Sequence, residues 1–343
     1  MSRLRSLALR ATTRLRHEVA RLVLPTPQVD RIKNQVVVVT DWGDDDAIAN
    51  LELQGRLLDV DVTKVQGVPV LASPLFGAII LDRFLDTIKI TLALRIQHWE
   101  NQGLSTEQIN LQLPRFSLVN VFDRSVGSER IPGIVEGDFA IGKYSVKVGL
   151  VGPLENGIIG YLSRRLSNMR AFELSNQDYQ VDNLGCVTWD GRTRFLPAGA
   201  FFANGVAASE FGNSVDLSIY PSISLNSGNE ASLVVPVVGI DSIGNVVFGI
   251  GNGEAETRVL HLPSVEFRPT NGHGRQFGAR SGRTISDVAQ GETVIYPGSN
   301  GLLEGAVNLG NLASIIGLRP EHLDVVRDGP KLRPVTTFEL EAA

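Results

Sequence analysis

The spacing of apolar residues divides the chain into two regions. In the first region, short apolar runs alternate with stretches in which apolar residues recur every three or four positions. The run QVVVVT at Gln35–Thr40 is continuous and β-branched, which is typical of a buried strand. Further strands are predicted at Val60–Val70, Ile88–Leu94, Phe116–Phe122, Phe139–Val148 and Leu150–Gly152, and helices at Phe76–Leu85, Ile158–Leu166 and Phe195–Gly205. This alternation predicts an α/β domain with a mostly parallel sheet.

The helical spacing fades after Gly212. Short apolar runs separated by Asn, Gly and Ser turns replace it, at Ala231–Ile240, Asn245–Ile250, Val259–Leu262 and Leu302–Val307. This pattern predicts a smaller all-β, barrel-like C-terminal domain. The predicted organisation is an extension at residues 1–33, an α/β domain at 34–220, a barrel-like domain at 221–330 and a charged tail at 331–343.

Residues 1–24 form the pattern of a basic amphipathic helix. Apolar residues lie on one face at helical spacing, six arginines lie on the rest, and Pro25 and Pro27 end the pattern. Three interpretations stay open: a helix packed on its own chain or on a partner subunit, an organellar transit peptide, or a helix on a membrane surface. We expect a cytoplasmic protein, with organellar import through this segment as the alternative.

Composition narrows the function classes. The chain has 343 residues, of which 43% are hydrophobic, and a net charge of −5 with no broad basic field, which argues against a nucleic-acid partner. Its single cysteine, Cys186, cannot form a disulfide or a cysteine metal site within one chain. No two of the five histidines have the spacing of metal ligands. The phosphate-loop motif and the Gly-x-Ser-x-Gly motif are absent, which argues against a nucleoside triphosphatase and against a hydrolase with a nucleophile elbow. We therefore expect no metal and no cofactor.

Acidic residues follow the first predicted strand directly. Asp41, Asp44, Asp45 and Asp46 lie just past its carboxyl end, where open α/β sheets bind ligands. Acids that suit the positive end of a following helix are the alternative explanation. That alternative accounts for Asp44 and Asp45 better than for Asp41, which lies against the strand end.

Two further segments combine charge with tight turns. In Val121–Arg130, VFDRSVGSER, Asp123 and Arg130 flank a Gly/Ser turn and could pair around a water or an anion. In Val187–Arg194, Trp189 and Asp190 lie in a predicted strand-to-helix loop. A solvated surface ion pair and a helix-capping acid are the alternatives that we keep open for these two segments.

With these segments in order, the chain resembles the S-adenosyl-L-methionine (SAM) hydroxide adenosyltransferases, the SAM hydrolases related to fluorinase. The matching motifs occur in the family's order across residues 38–318. They are VVTDWG at Val38–Gly43, DRSVGSER at Asp123–Arg130, LVGPLENGII at Leu150–Ile159, WDGRTRFLPAGAFFANG at Trp189–Gly205, DSIGN at Asp241–Asn245 and SNGLLEGAVNLGNLASIIGL at Ser299–Leu318.

The resemblance implies an α/β domain, a small β domain and a homotrimer that binds SAM between one subunit's N-terminal domain and its neighbour's C-terminal domain. It implies that water or hydroxide attacks the 5′ carbon of SAM and releases adenosine and methionine, with SAM as substrate and no cofactor. The site residues implied are Asp41 for the ribose hydroxyls, Asp46 for the methionine amino group, Asp123 and Arg130 for the water, Trp189 in the substrate site, Asp241 and Asn245 for adenine, and Ser299 for the methionine carboxylate.

Departures from the family pattern leave two other functions open. The histidine that helps to orient water in the family is Asp190 here, so a non-catalytic protein that binds adenosine or SAM is one alternative. Asp41–Ala47 also resembles the calcium loop of nucleoside hydrolases, which makes a calcium-dependent nucleoside hydrolase the other. That family has a further aspartate where this chain has Val39. The fluorinase halide loop is absent, so we do not expect halogenation.

Overall fold

The computed structural model describes residues 34–39, 58, 60–65, 74–120, 131–181, 191–220, 222–223, 233–271, 273–299, 301–323, 325–328 and 331–342. The predicted N-terminal helix at residues 1–24 lies outside these residues, so its three interpretations stay open. Among the helices that the structure describes, none combines the length and the apolar character that crossing a membrane requires.

The first domain contains a seven-stranded mixed sheet in the order β2-β1-β3-β5-β4-β6-β7. Strands β2, β1, β3 and β5 pair in parallel, whereas β5, β4, β6 and β7 pair antiparallel. The strands are β1 (Gln35–Val39), β2 (Asp61–Val65), β3 (Phe116–Asn120), β4 (Pro132–Ile141), β5 (Tyr144–Pro153), β6 (Ser167–Glu173) and β7 (Ser214–Val215). The parallel half includes β1 and β3, and the sequence predicts the site at the carboxyl ends of these two strands.

Helices cover both faces of this sheet. They are α1 (Pro74–Asn101), α2 (Thr106–Gln112), α3 (Ile158–Ser163) and α4 (Leu196–Ala203), with a π-helical turn at Gly191–Phe195 and 3₁₀ turns at Gln177–Tyr179, Ala208–Glu210 and Leu217–Ile219. Val37 and Leu118 pack with α1 and α3 in one core, while Val36, Val38 and Val119 pack with α4 in another. Since neighbouring strand residues point to opposite faces, these strands bury apolar residues on both faces of the sheet.

Helix α1 corrects two sequence predictions. The apolar pattern predicts a helix that ends at Leu85 and a strand at Ile88–Leu94, yet α1 continues unbroken to Asn101. Its buried residues recur every three or four positions as far as Trp99, which is the spacing of one helix face. The β-branched residues between Ile88 and Leu94 favour a strand locally, but packing of this face against the sheet determines the outcome.

The hairpin β4–β5 corrects a third prediction. The pattern predicts one strand over Phe139–Val148, whereas the chain reverses within it at Gly142 and Lys143. Gly142 adopts a φ of +62°, a conformation that glycine permits and that two-residue hairpin turns require. The antiparallel half of the sheet therefore begins at this turn.

The second domain is a closed seven-stranded barrel in the order β10-β14-β13-β12-β11-β17-β9. Its strands are β9 (Leu233–Ile240), β10 (Val246–Gly251), β11 (Ser264–Pro269), β12 (Phe277–Ser281), β13 (Thr293–Pro297), β14 (Leu302–Val307) and β17 (Thr337–Ala342). Helices α5 (Asn252–Arg258) and α6 (Leu312–Ile315) and 3₁₀ turns at Ile285–Asp287 and Pro320–Leu323 connect them. Phe248, Phe267 and Phe338 pack together in its interior. The two-domain fold class, α/β followed by a barrel, is thus confirmed.

Two predictions in the barrel region are wrong. Val259–Leu262 is not a strand, because the N–H of Val259 donates to the carbonyl of Ala255 over 2.9 Å and closes helix α5. Residues 331–343 are not a tail, because Thr337–Ala342 form β17, which pairs with both β9 and β11 and completes the barrel. A small third sheet joins β15 (Val325–Asp328), β16 (Lys331–Pro334) and β8 (Ser222–Ile223).

Candidate functional site

The parallel strands bring together the points at which two predicted site segments begin. Val39, the last residue of β1, is the register partner of Asn120, the last residue of β3. The segments carrying Asp41 and Asp46 and the segment carrying Asp123 and Arg130 therefore leave the same edge of the sheet from adjacent strands. These four residues lie outside the described part of the chain, as do Trp189 and Asp190, so their predicted roles stay predictions.

A cleft of about 340 Å³ lies where two of these segments rejoin the described structure. Ile131, which follows Arg130, lines it together with Arg194, which lies four positions after Asp190. The N–H of Val181 donates to the carbonyl of Thr193 over 2.9 Å, so the segment between them leaves and returns at neighbouring points. The cleft is completed by Pro132, Glu173, Leu174, Ser175, Gln177 and Gln180.

Glu155 fixes the backbone at the rim of this cleft. Its Oε2 accepts a 3.0 Å hydrogen bond from the N–H of Ile131, and the N–H of Leu154 donates to the carbonyl of Ile131 over 3.0 Å. Glu155 and Glu173 also act on the half-buried phenol of Tyr220, whose pKa is raised mainly by burial and then by these two carboxylates. The cleft thus has a carboxylate, Glu173, and a guanidinium, Arg194, in its lining, with Glu155 at its rim.

The barrel places two predicted site residues in one loop, Asp241–Asn245, which joins β9 to β10. Oδ1 of Asp241 accepts from the N–H of Ile243 at 3.0 Å and from the N–H of Asn245 at 2.8 Å. Oδ2 of Asp241 accepts from Nδ2 of Asn245 at 2.9 Å. A carboxylate satisfied in this way fixes the loop, because both of its oxygens are used inside it.

The orientation of the Asn245 amide follows from this pairing. Asp241 offers only acceptors to it, so the NH₂ group of Asn245 faces Asp241 and its oxygen faces elsewhere. Asn245 is 5% exposed, and its Oδ1 has no hydrogen-bond partner among the described residues. A buried acceptor of this kind is suited to an N–H donor of a ligand.

Two half-buried side chains on the outer face of the barrel lie close to Asp241. The hydroxyl of Tyr296 donates to Oε2 of Glu304 over 2.9 Å. Burial, and secondarily the charge of Asp241, raises the pKa of the Glu304 carboxyl. Burial, followed by the charge of Glu304, also raises the pKa of Tyr296. The surroundings of Asp241 are thus acidic and partly shielded from water.

Ser299 lies on a separate turn of the barrel, residues 298–301, between β13 and β14. This 298–301 turn is closed by a 2.9 Å hydrogen bond from the N–H of Gly301 to the carbonyl of Gly298. Ser299 is exposed there. The structure therefore places Asp241, Asn245 and Ser299 on the barrel, while the cleft beside the Arg130 and Asp190 segments belongs to the α/β domain.

Sequence reasoning did not single out several residues that shape these features. Glu155 and Glu304 enter the sequence analysis only as members of matching motifs, and Tyr296 lies outside those motifs. Arg83, whose Nη2 donates to the carbonyl of Gly301, has no local signal because it lies 218 positions from its partner. The position of Glu155 shortly after a strand is a local signal for such an acid, whereas the contact of Arg83 has none.

Comparison with known domains and proteins shows what this chain is similar to. Residues 235–323, which include the Asp241–Asn245 loop and the 298–301 turn, match the SAM hydroxide adenosyltransferase C-terminal domain. A protein named (R)-S-adenosyl-L-methionine hydrolase from Salinispora tropica is 29% identical over 174 residues, 50% of this chain and 62% of that protein. Its namesake from Thermus thermophilus is 32% identical over 137 residues, 39% of this chain and 47% of that protein. The match thus spans about half the length of these relatives.

Solved structures support the fold of the whole chain. An uncharacterized conserved protein from Thermotoga maritima superposes with a TM-score of 0.59 at 18% identity, covering 89% of this chain and all of that one. A conserved hypothetical protein from Thermus thermophilus gives a TM-score of 0.50 at 21% identity, covering 90% and all of the respective chains. The domain match and the two named relatives support the resemblance of the chain to the SAM hydroxide adenosyltransferase family.

Proposed function

We propose that the protein hydrolyses SAM to adenosine and L-methionine. The observation that carries this proposal is the Asn245 amide, whose oxygen is buried, oriented by Asp241 and without a hydrogen-bond partner among the described residues. The exocyclic 6-amino group of adenine is such a donor. The match of this region to the SAM hydroxide adenosyltransferase C-terminal domain supports an adenosyl ligand.

In this proposal the α/β domain supplies the reaction chemistry. Asp123 and Arg130 orient a water molecule in line with the bond from the 5′ carbon to the sulfonium sulfur. The water oxygen forms a bond to the 5′ carbon, the carbon–sulfur electron pair leaves with methionine, and a proton of the water passes to a carboxylate. A sulfonium is a good leaving group, so placing a poorly solvated water is the main task of the protein.

The other predicted side chains would hold the substrate. Asp41 would accept from the two ribose hydroxyls, and Asp46 would pair with the methionine amino group. Trp189 would line the substrate site, and Ser299 would donate to the methionine carboxylate. The carboxylates of Glu155 and Glu173, which both contribute to the raised pKa of Tyr220, are consistent with a substrate that carries a sulfonium and an ammonium group.

Asp190 supports a second candidate function. A carboxylate near Asp123 in place of the family histidine repels hydroxide and disfavours a second charged acid. In this candidate function the protein binds adenosine or SAM through the barrel site but does not hydrolyse SAM, because Asp190 does not act as the family histidine does. We place this candidate after hydrolysis because Asp190 is itself able to accept the proton of the water.

We further propose that the site is completed by a neighbouring subunit in a homotrimer. Three large apolar side chains near the Asp241–Asn245 loop are exposed: Ile243 at 62%, Leu309 at 81% and Ile315 at 55%. The N–H of Ala313 donates to the carbonyl of Gly244 over 3.0 Å, which joins this loop to helix α6. Apolar exposure around a candidate ligand loop is consistent with a subunit interface.

One experiment tests the proposed function. The purified protein is incubated with SAM, with adenosine alone and without ligand, and the products are separated by chromatography. Adenosine and methionine in equal amounts support hydrolysis, and Asp123→Asn should abolish them while adenosine still binds. No product, combined with a rise in melting temperature on adding adenosine, supports the non-catalytic candidate. Free adenine released from adenosine only with calcium would support a nucleoside hydrolase instead.

A further inference from the structure

Arg83 joins the α/β domain to the turn that carries Ser299. Arg83 lies in helix α1, and its Nη2 donates to the backbone carbonyl of Gly301. The N–H of Asn252, at the start of α5, donates to the same carbonyl over 3.0 Å. One oxygen of the 298–301 turn is therefore held by a cation from the first domain and an amide from the second.

The other end of the turn is held as well. The carbonyl of Gly298 accepts from the N–H of Gly301 and from Nδ2 of Asn252, each at 2.9 Å. The N–H of Gly298 donates to the carbonyl of Leu302 over 2.8 Å. With Arg83 included, every one of these bonds constrains the backbone that carries Ser299.

The two glycines show how closely the turn is enclosed. A Cβ at Gly301 would overlap the guanidinium of Arg83, and one at Gly298 would overlap the carboxylate of Glu304. The turn therefore lies between a side chain of α1 on one side and a side chain of β14 on the other. Both of these side chains contact the turn at its glycines, where any larger residue would displace them.

The guanidinium of Arg83 has no carboxylate partner among the residues that the structure describes. In this it differs from Arg165 in the same domain, which pairs with Asp82 and Asp86, each at 2.5 Å. A half-buried guanidinium without an acid directs its donors to carbonyls, and a charge-assisted bond of this kind is stronger than a neutral one. Arg83 thus binds the turn rather than a neighbouring acid.

We propose that Arg83 is a positioning residue, which holds the 298–301 turn so that Ser299 meets the carboxylate of bound SAM. This inference rests on the proposed function, because that function assigns the carboxylate to Ser299. It implies that Arg83 affects ligands that carry the methionine carboxylate more strongly than ligands that lack it. A purely structural role would weaken the binding of both ligand types alike.

The test compares two ligands in the full-length protein. Affinities for S-adenosylhomocysteine, which has the carboxylate and a poor leaving group, and for adenosine are measured by calorimetry. The proteins are the wild type, four single variants and the double variant Arg83→Met with Ser299→Ala. Arg83→Met retains an apolar stem without the charge, Arg83→Lys retains the charge without the planar fork, and Ser299→Ala removes the hydroxyl. Arg258→Met, on exposed α5, is the matched control.

We expect Arg83→Met to weaken the binding of S-adenosylhomocysteine roughly tenfold, which is the usual effect of losing a charge-assisted hydrogen bond. The binding of adenosine should weaken less than about twofold. Arg83→Lys should retain part of the affinity, and Arg258→Met should match the wild type. In the Ser299→Ala background, Arg83→Met should have little further effect, since both changes remove the same contact. Equal weakening of both ligands by Arg83→Met would overturn the inference, as would additive effects of the two substitutions.

A second measurement separates this inference from the proposed function. Hydrogen exchange at the Gly298 and Gly301 amides reports on the turn without any ligand. Exchange about tenfold faster in Arg83→Met, with the β9 amides unchanged, supports the role of Arg83 in holding the turn. Unchanged exchange overturns it. A wild-type protein that binds neither ligand refutes the proposed function, and exchange then decides the role of Arg83 by itself.

Discussion

Nδ2 of Asn245 lies 2.9 Å from Oδ2 of Asp241, and this contact orients the amide of Asn245. Because a carboxylate accepts and does not donate, the opposite atom of the amide is an oxygen. The chemistry of the proposed adenine site thus follows from one pair of residues four positions apart in a loop. Any change to Asp241 changes what Asn245 can offer to a ligand.

The Asn245 amide should therefore discriminate between purines. Adenosine has an amino group at position 6 and inosine has an oxygen, so the wild type should bind adenosine about tenfold or more tightly. Asn245→Ala should weaken the binding of adenosine and remove most of the preference for adenosine over inosine. Calorimetry with both nucleosides measures it. Asn168→Ala, which removes an exposed Asn–Asp pair with Asp138 in the other domain, is the control and should leave the preference intact.

Asp190→His should raise the rate of SAM hydrolysis. The substitution removes a negative charge that the proposed site has near Asp123, and it introduces a side chain that donates to and accepts from water near neutral pH. The comparison is single-turnover hydrolysis of SAM in the wild type and the variant, with Asp190→Asn as the control for charge alone. A variant that binds SAM normally and hydrolyses it no faster would show that Asp190 does not limit the reaction.

Gly244→Ala should destabilise the loop that carries Asn245. Gly244 has a φ of +88°, and a Cβ there would overlap the amide of Asn311. Gly103 has a similar φ of +82° with nothing within 4 Å of such a Cβ, so Gly103→Ala isolates the backbone cost, about 1 kcal/mol. Urea unfolding should show a loss for Gly244→Ala larger by about 1–3 kcal/mol, together with weaker adenosine binding. Equal losses of stability in the two variants would mean that the Asn311 side chain moves aside without a free-energy cost.

Glu304 should make stability depend on pH in a defined direction. Burial raises its pKa above the ordinary value for glutamate, so ionising Glu304 costs more in the folded protein than in the unfolded one. The penalty is absent below the unfolded pKa and is reached in full above the folded pKa. Glu304→Gln removes this penalty and retains an acceptor for Tyr296.

The measurement for Glu304 is the free energy of unfolding at about pH 4.5 and about pH 7.5 for the wild type and Glu304→Gln. The variant should gain stability relative to the wild type as the pH rises between these values. Glu339→Gln in the barrel strand β17 serves as the control, since it changes the same charge at another position. A difference between Glu304→Gln and the wild type that does not vary with pH would show that Glu304 titrates normally.

Local sequence pattern was sufficient to predict a strand or a turn where the residues of the segment themselves indicate burial or reversal of the chain. The β-branched run of β1, the Asn/Gly turns of the barrel and the strand at Leu302–Val307 were all recognised in this way. The order of six short motifs also indicated the family, which the domain match at residues 235–323 and the two named relatives support. Asp241 and Asn245 were singled out by the match of their segment to a family motif, and the structure adds that the Asp241 carboxylate bonds within the loop.

The sequence by itself therefore determined the fold class and the motif order, and the motif match pointed to Asp241 and Asn245. Only the tertiary structure decided that α1 continues through Ile88–Leu94, that Thr337–Ala342 close the barrel and that Arg83 binds the carbonyl of Gly301. The physical reason is that a helix face, a barrel strand and a carbonyl contact are stabilised by partners far away along the chain. Local preference cannot specify such partners, because packing brings them together only once the domains have formed.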